Sequence, residues 1–273
     1  MQPIENAPRL TASACESVRE IEILDEAGVR RSILIPAERA LTLRLDGREL
    51  VTLMTLGAMP ELLVLGFLRN QRLIPHAAVL ESISVDWSAG VSIIKSRRGQ
   101  LEASAVLPQI VASGSGQGSV VARLMSQLDS IRLPAAAEAR IRQSTLRGLL
   151  EVMRQHDSIH RRARSVHGCA LFQHEQLLMS VEDVGRHNAL DTVSGWMALY
   201  GIDGGDKILF TTGRLTGEMV VKAALCGIPI VVSRNGVSTL GYDLAQKFGM
   251  ALFGRAVHRH FNCYTGAERF DAE

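Results

Sequence analysis

KILFTTGRLTGEMVVKAALCGIPIVVS, residues 207–233, carries the pattern that sets the fold class. KILFTT is an apolar run of strand length, residues 216–226 repeat their apolar positions at helical spacing, and IPIVVS is again of strand length. The alternation continues on both sides of this unit. Before it stand a long helix over 138–156, the strands GCALFQ and QLLMSV, and a helix over 183–200; after it come a helix over 237–248 and the strand MALFG. Alternating β and α elements predict a mixed sheet with helices on both faces.

Upstream the pattern differs. Residues 20–55 read as β-structure, with Leu41, Leu43 and Leu45 alternating against Thr42 and Arg44 before a two-residue hairpin signal at Asp46-Gly47. PELLVLGFLRNQ (60–71) reads as a short helix, and VLESISVDW pairs with GVSIIKS around Ser88-Ala89-Gly90. SGSGQGS (113–119) reads as a flexible loop feeding a helix, and Pro134-Ala-Ala-Ala as a linker. The fold class expected is therefore mixed α/β, with a small N-terminal α+β domain over 1–134 and a three-layer α/β/α domain over 135–273.

Bulk properties narrow the function classes. The chain has 273 residues, 47% hydrophobic and 21% charged, and a formal net charge of +2. That charge is too small to imply a nucleic-acid or membrane partner, so any anion binding must come from local clusters. MQPIENAPRL has no basic start followed by an apolar run, which makes a cytoplasmic location the expectation. The longest apolar stretch carries Glu61 in its middle and reads as strand plus helix, not as a membrane span. Cys15, Cys169, Cys226 and Cys263 are scattered without a C-x-x-C pair, which argues against a zinc knuckle or a disulfide scaffold. No metal ligand set is expected.

Three clusters are candidates for a site. In SVEDVGRHNALD (180–191), Asp183 would cap the helix, Ala189, Leu190, Val193, Trp196, Met197 and Tyr200 would form its core stripe, and His187, Asn188 and Asp191 would share the opposite, solvated side. Arg186 is wrong-signed for a helix start unless an anion lies near it. In TTGRLTGEMVVK, Thr216 would cap the next helix, Glu218 and Lys222 would make a surface i,i+4 ion pair, and Arg214 with the helix N-terminus could converge on an anion. Both turns follow strands, so neighbouring strands of one sheet would bring them to one edge. In GRAVHRHFNCYT (254–265), Arg255, His258, Arg259 and His260 concentrate positive charge of the kind that suits phosphate oxygens. HRRAR (160–164) reads as the face of a helix end.

EDVGRHNALD, TTGRLTGEMVVKAALCGIPIVVS, Gly254-Arg255, the closing Tyr264-Thr265, Glu38, LDGRELVTLMT, ELLVLGFL and His167 in VHGCAL together resemble the FdhD/NarQ family over roughly 35–265. The resemblance implies a small N-terminal domain followed by a cytidine-deaminase-like domain, in a homodimer. It implies a sulfur carrier that takes sulfur from a cysteine desulfurase as a loop persulfide. The sulfur then passes to the bis-molybdopterin guanine dinucleotide form of the molybdenum cofactor, destined for the formate dehydrogenase catalytic subunit. The family's cofactor-binding segment falls on Arg255, Ala256, Val257, His258, Arg259 and His260. Together with His167, Asp183, Arg186, His187, Asn188, Arg214, Glu218 and Lys222 it would form one pocket, for which GDP is the natural surrogate ligand.

The sequence departs from the family where the chemistry is done. The family's loop reads Cys-Gly-x-Cys-Gly, and here Ser115 and Gly118 stand at the two cysteine positions. A thiolate accepts sulfane sulfur, whereas a serine hydroxyl stays protonated and glycine has no side chain. Relay through this loop is thus excluded as the family performs it, unless Cys169, Cys226 or Cys263 substitutes. The alternatives are a cofactor-binding chaperone or an interaction protein without sulfur transfer; the cysteine pair that a zinc deaminase requires is absent from the sequence. Softer departures are Leu56 for a usual proline, Asn70-Gln71-Arg72 where Glu-Gly is usual, and Arg164-Ser165 where glycines are expected.

Overall fold

The computed structural model describes residues 1–97 and 131–273. Loop 113–119, with Ser115 and Gly118 and the helix expected after it, lies outside the described residues. The fold is mixed α/β. The first sheet has five strands: β1 (Arg9–Leu10), β4 (Arg39–Leu45), β5 (Arg48–Thr55), β6 (Leu80–Asp86) and β7 (Val91–Ser96), in the order β1-β6-β7-β4-β5. Asp46 (φ 48°) and Gly47 (φ 82°) make the left-handed turn expected between β4 and β5. A separate ribbon pairs β2 (Val18–Leu24) with β3 (Arg30–Pro36). Helix α1 (Pro60–Asn70) packs its Leu63, Val64, Phe67 and Leu68 on Leu41, Leu43, Leu53 and Ile83.

The second sheet runs β10-β9-β11-β12-β13-β14, comprising β9 (His167–Gln173), β10 (Gln176–Asp183), β11 (Lys207–Thr211), β12 (Ile230–Ser233), β13 (Ala251–Val257) and β14 (His260–Thr265). The intervening β8 (Ile141–Arg142) pairs with the terminal β15 (Phe270–Asp271). Period-two alternation sorts its side chains. Cys169, Leu171, Leu209, Val231 and Leu252 face α4 (Arg186–Tyr200), α5 (Gly217–Leu225) and α6 (Thr239–Phe248), in a core shared with α1 and the first sheet. Ala170, Phe172, Ile208, Phe210, Val232 and Phe253 face α2 (Gln143–Gln155) and the edge-on rings of Phe261 and Phe270. A five-residue helix, α3 (Ile159–Ala163), follows α2.

Several boundaries differ from expectation. The helix expected over 138–156 begins at Gln143, because 134–139 is held in a turn by the Arg269 guanidinium, which donates to the carbonyls of Pro134, Ala135 and Ala139. The helix expected from 183 begins at Arg186, because Asp183 ends β10 opposite His167. Gly185 is the N-cap of α4, and Asp183 caps no helix end.

The polar side of α4 is the larger correction. Asn188, Asp191, Thr192 and Ser194 are buried, not solvated. Asp191 and Ser194 meet α1 and Asn188 meets β5, and the two helices approach until a Cβ at Gly66 would lie 1.6 Å from the Asp191 carbonyl and one at Gly195 1.9 Å from that of Leu62. Only glycines permit that crossing. Buried polar groups must be hydrogen-bonded, and these are. Asn70 donates to Asp191 at 2.7 Å and accepts from Ser194 at 2.9 Å, while Asn188 donates to the Met54 carbonyl and to Asp183. Asp183 also accepts from Thr55 and from the Leu56 N–H, a bond that proline at 56 could not make. Arg164 and Ser165, where the resemblance expects glycines, have φ of 56° and 48°, the left-handed region that glycine favours, and Arg72 in the Asn70-Gln71-Arg72 stretch has φ of 53°.

Candidate functional site

β10 and β11 both run antiparallel to β9, so they are parallel to each other, and β12 and β13 follow β11 in the same sense. Their C-terminal ends therefore share one edge of the sheet with the start of β9. That edge gathers the turns 184–185, 212–216, 234–236 and 258–259, the position at which ligands bind in open α/β sheets.

Two cavities open there, and the three sequence clusters divide between them. The larger, about 1180 Å³, is lined by Ala256, Val257, His258 and Arg259 of the β13–β14 turn, by the C-terminal half of α2, by the 156–162 segment and by Arg164, Gly168, Glu182, Thr212 and Arg234. Seven arginines and three histidines face three acids, Glu151, Asp157 and Glu182. Two of those acids are already engaged. Glu151 is held by both Arg154 nitrogens and by Gln155, which pull its carboxyl down to about 2. Glu182 accepts the backbone N–H groups of Ile159 and His160 and so fixes the start of α3. The remaining lining is a strongly cationic, largely exposed bowl whose His160 Nδ1 is buried without a protein partner. Its donors are those that take phosphate oxygens.

The smaller cavity, about 540 Å³, contains His167, Arg186, His187, Asn188, Arg214, Glu218 and Lys222 together with Thr216, Asp191 and Glu38. Lys222 is not a surface residue: at 2% exposure it donates to Asp191 at 2.9 Å and stands 3.3 Å from Glu218. Burial alone would lower its pKa, but the two carboxylates raise it above the usual lysine range. Glu218 also stands 3.4 Å from His187 Nε2. Burial, with Lys222 and Arg186 nearby, drives the His187 pKa down to about 2, so the imidazole is neutral. His167 is lowered by burial and then by Arg186, His160 and Arg214. Asp183 is buried beside this cavity and does not line it; burial raises its carboxyl despite four donors.

Arg255 and His260 line neither cavity. Arg255 sits exposed in a bulge at φ 51°, its N–H bound to the Asn235 carbonyl. Sequence reasoning missed Arg147, Arg154, His156 and Arg234, and placed HRRAR on an ordinary helix end although Arg161, Arg162 and Arg164 all reach the larger cavity. The signal for Arg234 was its place just past a strand end at the same edge. Arg147 and Arg154 lie seven apart on one helix face, a signal that spacing alone gives to any amphipathic helix.

Two of the four thiols are buried. Cys169, fully buried and donating to Thr211 Oγ1, is pushed up to about 12 by desolvation. Cys226 is buried, and the exposed Cys263 is raised by its partial burial and by Glu268. Among the described residues no group of three or more His, Cys, Asp or Glu side chains converges as a metal site, and no helix is long and apolar enough to cross a membrane.

Comparison with known proteins adds to this geometry. The sequence pattern of the FdhD/NarQ family matches residues 36–271. The sulfur carrier protein FdhD of Thermoplasma acidophilum is 31% identical, with 95% of each chain covered, and that of Bacillus subtilis is 30% identical over 85% of this chain and 88% of its own. A crystal structure of a formate dehydrogenase accessory protein from Desulfotalea psychrophila superposes with a TM-score of 0.73 at 25% identity, covering 93% of this chain and 98% of that one.

Proposed function

The chain belongs to the FdhD/NarQ family, and on that premise we propose that it is a formate dehydrogenase accessory protein that carries the bis-molybdopterin guanine dinucleotide form of the molybdenum cofactor in its larger cavity. The observation that carries the reading is the lining of that cavity. Arg147, Arg161, Arg162, Arg234 and Arg259 surround a space of about 1180 Å³, above the roughly 300–1,000 Å³ usual for small-molecule pockets. A cargo with two guanine nucleotides brings two pyrophosphates and suits such a space. The donor set fits it: guanidinium forks take phosphate oxygens in pairs, and His160 Nδ1 is a buried atom still without a partner. The residues of this chain bind and orient the cargo and shield its phosphates.

Sulfur transfer through this chain's own thiols is not part of the proposal. Ser115 and Gly118 cannot hold a persulfide, and Cys169 stays protonated at neutral pH. If sulfur reaches the cargo while it is bound, a thiol of another chain, on a persulfide-bearing cysteine desulfurase or a cysteine-bearing homologue, has the right chemistry to supply it. Formate dehydrogenase is the recipient of the cargo in this reading, and a homodimer is its working form.

Calorimetric titration of the reduced protein with GDP tests the reading. Saturable binding is expected, weakened about tenfold or more by Arg259→Glu or Arg162→Glu and by raised salt, since each exchange removes a charge-assisted pair of about 1.5–3 kcal/mol. Absence of binding at millimolar GDP would overturn it in favour of an interaction protein that holds no nucleotide.

A further inference from the structure

The smaller cavity holds two guanidinium groups without hydrogen-bond partners among the described residues. Arg186 enters from the first turn of α4 and Arg214 from the turn after β11, and neither guanidinium has a hydrogen bond or ion pair among the described residues. Arg186 Nε is shut off from solvent as well as unpartnered. Its side chain lies across Gly213, where a Cβ would stand 2.8 Å from Arg186 Cβ, so the turn is shaped to let this cation in. Glu218 offsets Arg186 in part from a distance, but among the described residues no acid makes a direct contact with either guanidinium. Asp191 and Glu218 are both engaged by Lys222, and Glu38 sits at the exposed rim.

Independent features point the same way. The N-caps of α4 and α5, Gly185 and Thr216, make no side-chain cap bond, so the first-turn N–H groups of two helices face the cavity without side-chain acceptors. Thr216 Oγ1 and His187 Nδ1 are further buried atoms without protein partners. Burial first, and then nearby cations, Arg186, His160 and Arg214 for His167 and Lys222 and Arg186 for His187, lower the pKa of both imidazoles.

We propose that the smaller cavity is a binding site for a phosphate group, held by Arg186 and Arg214 between the first turns of α4 and α5, and separate from the nucleotide site of the larger cavity. The phosphate has two possible sources with the same chemistry: inorganic phosphate, or a phosphorylated end of a larger ligand reaching across the shared sheet edge. The inference stands on different residues from the nucleotide reading and survives if that reading fails.

The test is calorimetric titration with inorganic phosphate, and separately with GDP, of the wild type, Arg214→Glu and Arg259→Glu. Arg214 is exposed and unpartnered, so its exchange leaves the fold intact, which circular dichroism checks. Saturable phosphate binding is expected in the wild type and in Arg259→Glu, weakened about tenfold or more in Arg214→Glu. Phosphate binding that persists on GDP-saturated protein identifies a free oxyanion; a GDP affinity that itself drops in Arg214→Glu identifies a phosphorylated ligand spanning both cavities. A second readout is the His167 imidazole resonance, which faces Arg186, Arg214 and His160 and should titrate at higher pH once phosphate offsets the arginines. Equal phosphate affinity in wild type and Arg214→Glu would overturn the proposal. So would phosphate binding lost only in Arg259→Glu, or no saturable phosphate binding together with GDP binding unchanged by Arg214→Glu.

Discussion

Replacing Lys222 by Met, a side chain of similar length without charge, should destabilise the protein in a way that depends steeply on pH. Lys222 is 2% exposed and stands 2.9 Å from Asp191 and 3.3 Å from Glu218, which are themselves buried. At an effective dielectric of about 20 each contact is a gross attraction of roughly 5–6 kcal/mol, offset by the cost of taking three charges out of water. Once the ammonium is gone, the buried carboxylates can escape by taking up a proton. With ordinary carboxyl values near 4, protonating one at pH 7 costs about 4 kcal/mol, less than leaving both charged, so that route sets the penalty. The loss should therefore be about 4 kcal/mol at pH 7, or roughly a 10 °C fall in Tm, and shrink to about 1–2 kcal/mol at pH 5. The folded variant binds a proton that its unfolded chain releases above pH 4, so its deficit grows as pH rises. Urea unfolding of both proteins at pH 5, 6 and 7 measures this. A deficit below about 1 kcal/mol at pH 7, or one independent of pH, would refute the reasoning that Lys222 neutralises buried carboxylates.

Other expectations follow from single observations. His187 is neutral in the fold with its pKa near 2, while the unfolded chain protonates near 6.5; its contribution is complete above pH 6.5 and is lost as pH falls towards 2. Between pH 6.5 and 5 it should account for about 2 kcal/mol of lost stability, and His187→Gln should flatten the urea-midpoint profile by that amount. Ser165→Gly relieves a left-handed residue at φ 48° and should raise stability by about 1 kcal/mol, read as a Tm gain of about 2–4 °C. Gly66→Ala, whose Cβ would lie 1.6 Å from the Asp191 carbonyl, should separate α1 from α4 and lower stability by more than about 4 kcal/mol, seen as insoluble or molten protein. Under native conditions a disulfide reagent should label Cys263 readily and leave Cys169 and Cys226 untouched until urea unfolds the chain, because both are buried and Cys169 is pushed up to about 12; rapid native labelling of Cys169, resolved by peptide mapping, would contradict its placement.

The strand–helix alternation over 167–257 was legible because period-two and period-3.6 patterns separate cleanly there, and the two faces of the second sheet follow the odd and even residues of β9 and β11. The common edge of the two turns was legible from the same alternation. The polar side of α4 was not. A helix wheel assigns Asn188 and Asp191 to water because it knows nothing of α1, whose Asn70 and Arg69 come from more than a hundred residues earlier. Nor does an i,i+4 rule distinguish the buried Glu218–Lys222 pair from a surface one; the third member, Asp191, lies on another helix. The division into two cavities was equally hidden, since it depends on where α2 and α3 lie against the sheet edge.

The EDVGRHNALD segment thus serves two purposes on one short run, and the two alternate along it. Asp183, Asn188 and Asp191 tie the second sheet and α4 to β5 and α1, whereas Glu182 positions α3 over the larger cavity and Arg186 and His187 line the smaller one. Loss of activity on exchanging any of them is therefore ambiguous, and unfolding free energy separates the cases: exchanges at the first three should lower it, exchanges at Arg186 should change ligand affinity with little change in stability. The same logic bears on the absent loop thiols. Ser115 and Gly118 remove the group that would carry sulfur, yet the arginines around the larger cavity draw nothing from a thiol for their charge or their placement. On the proposed reading, binding in the cationic bowl can be measured in this chain without sulfur transfer through the loop.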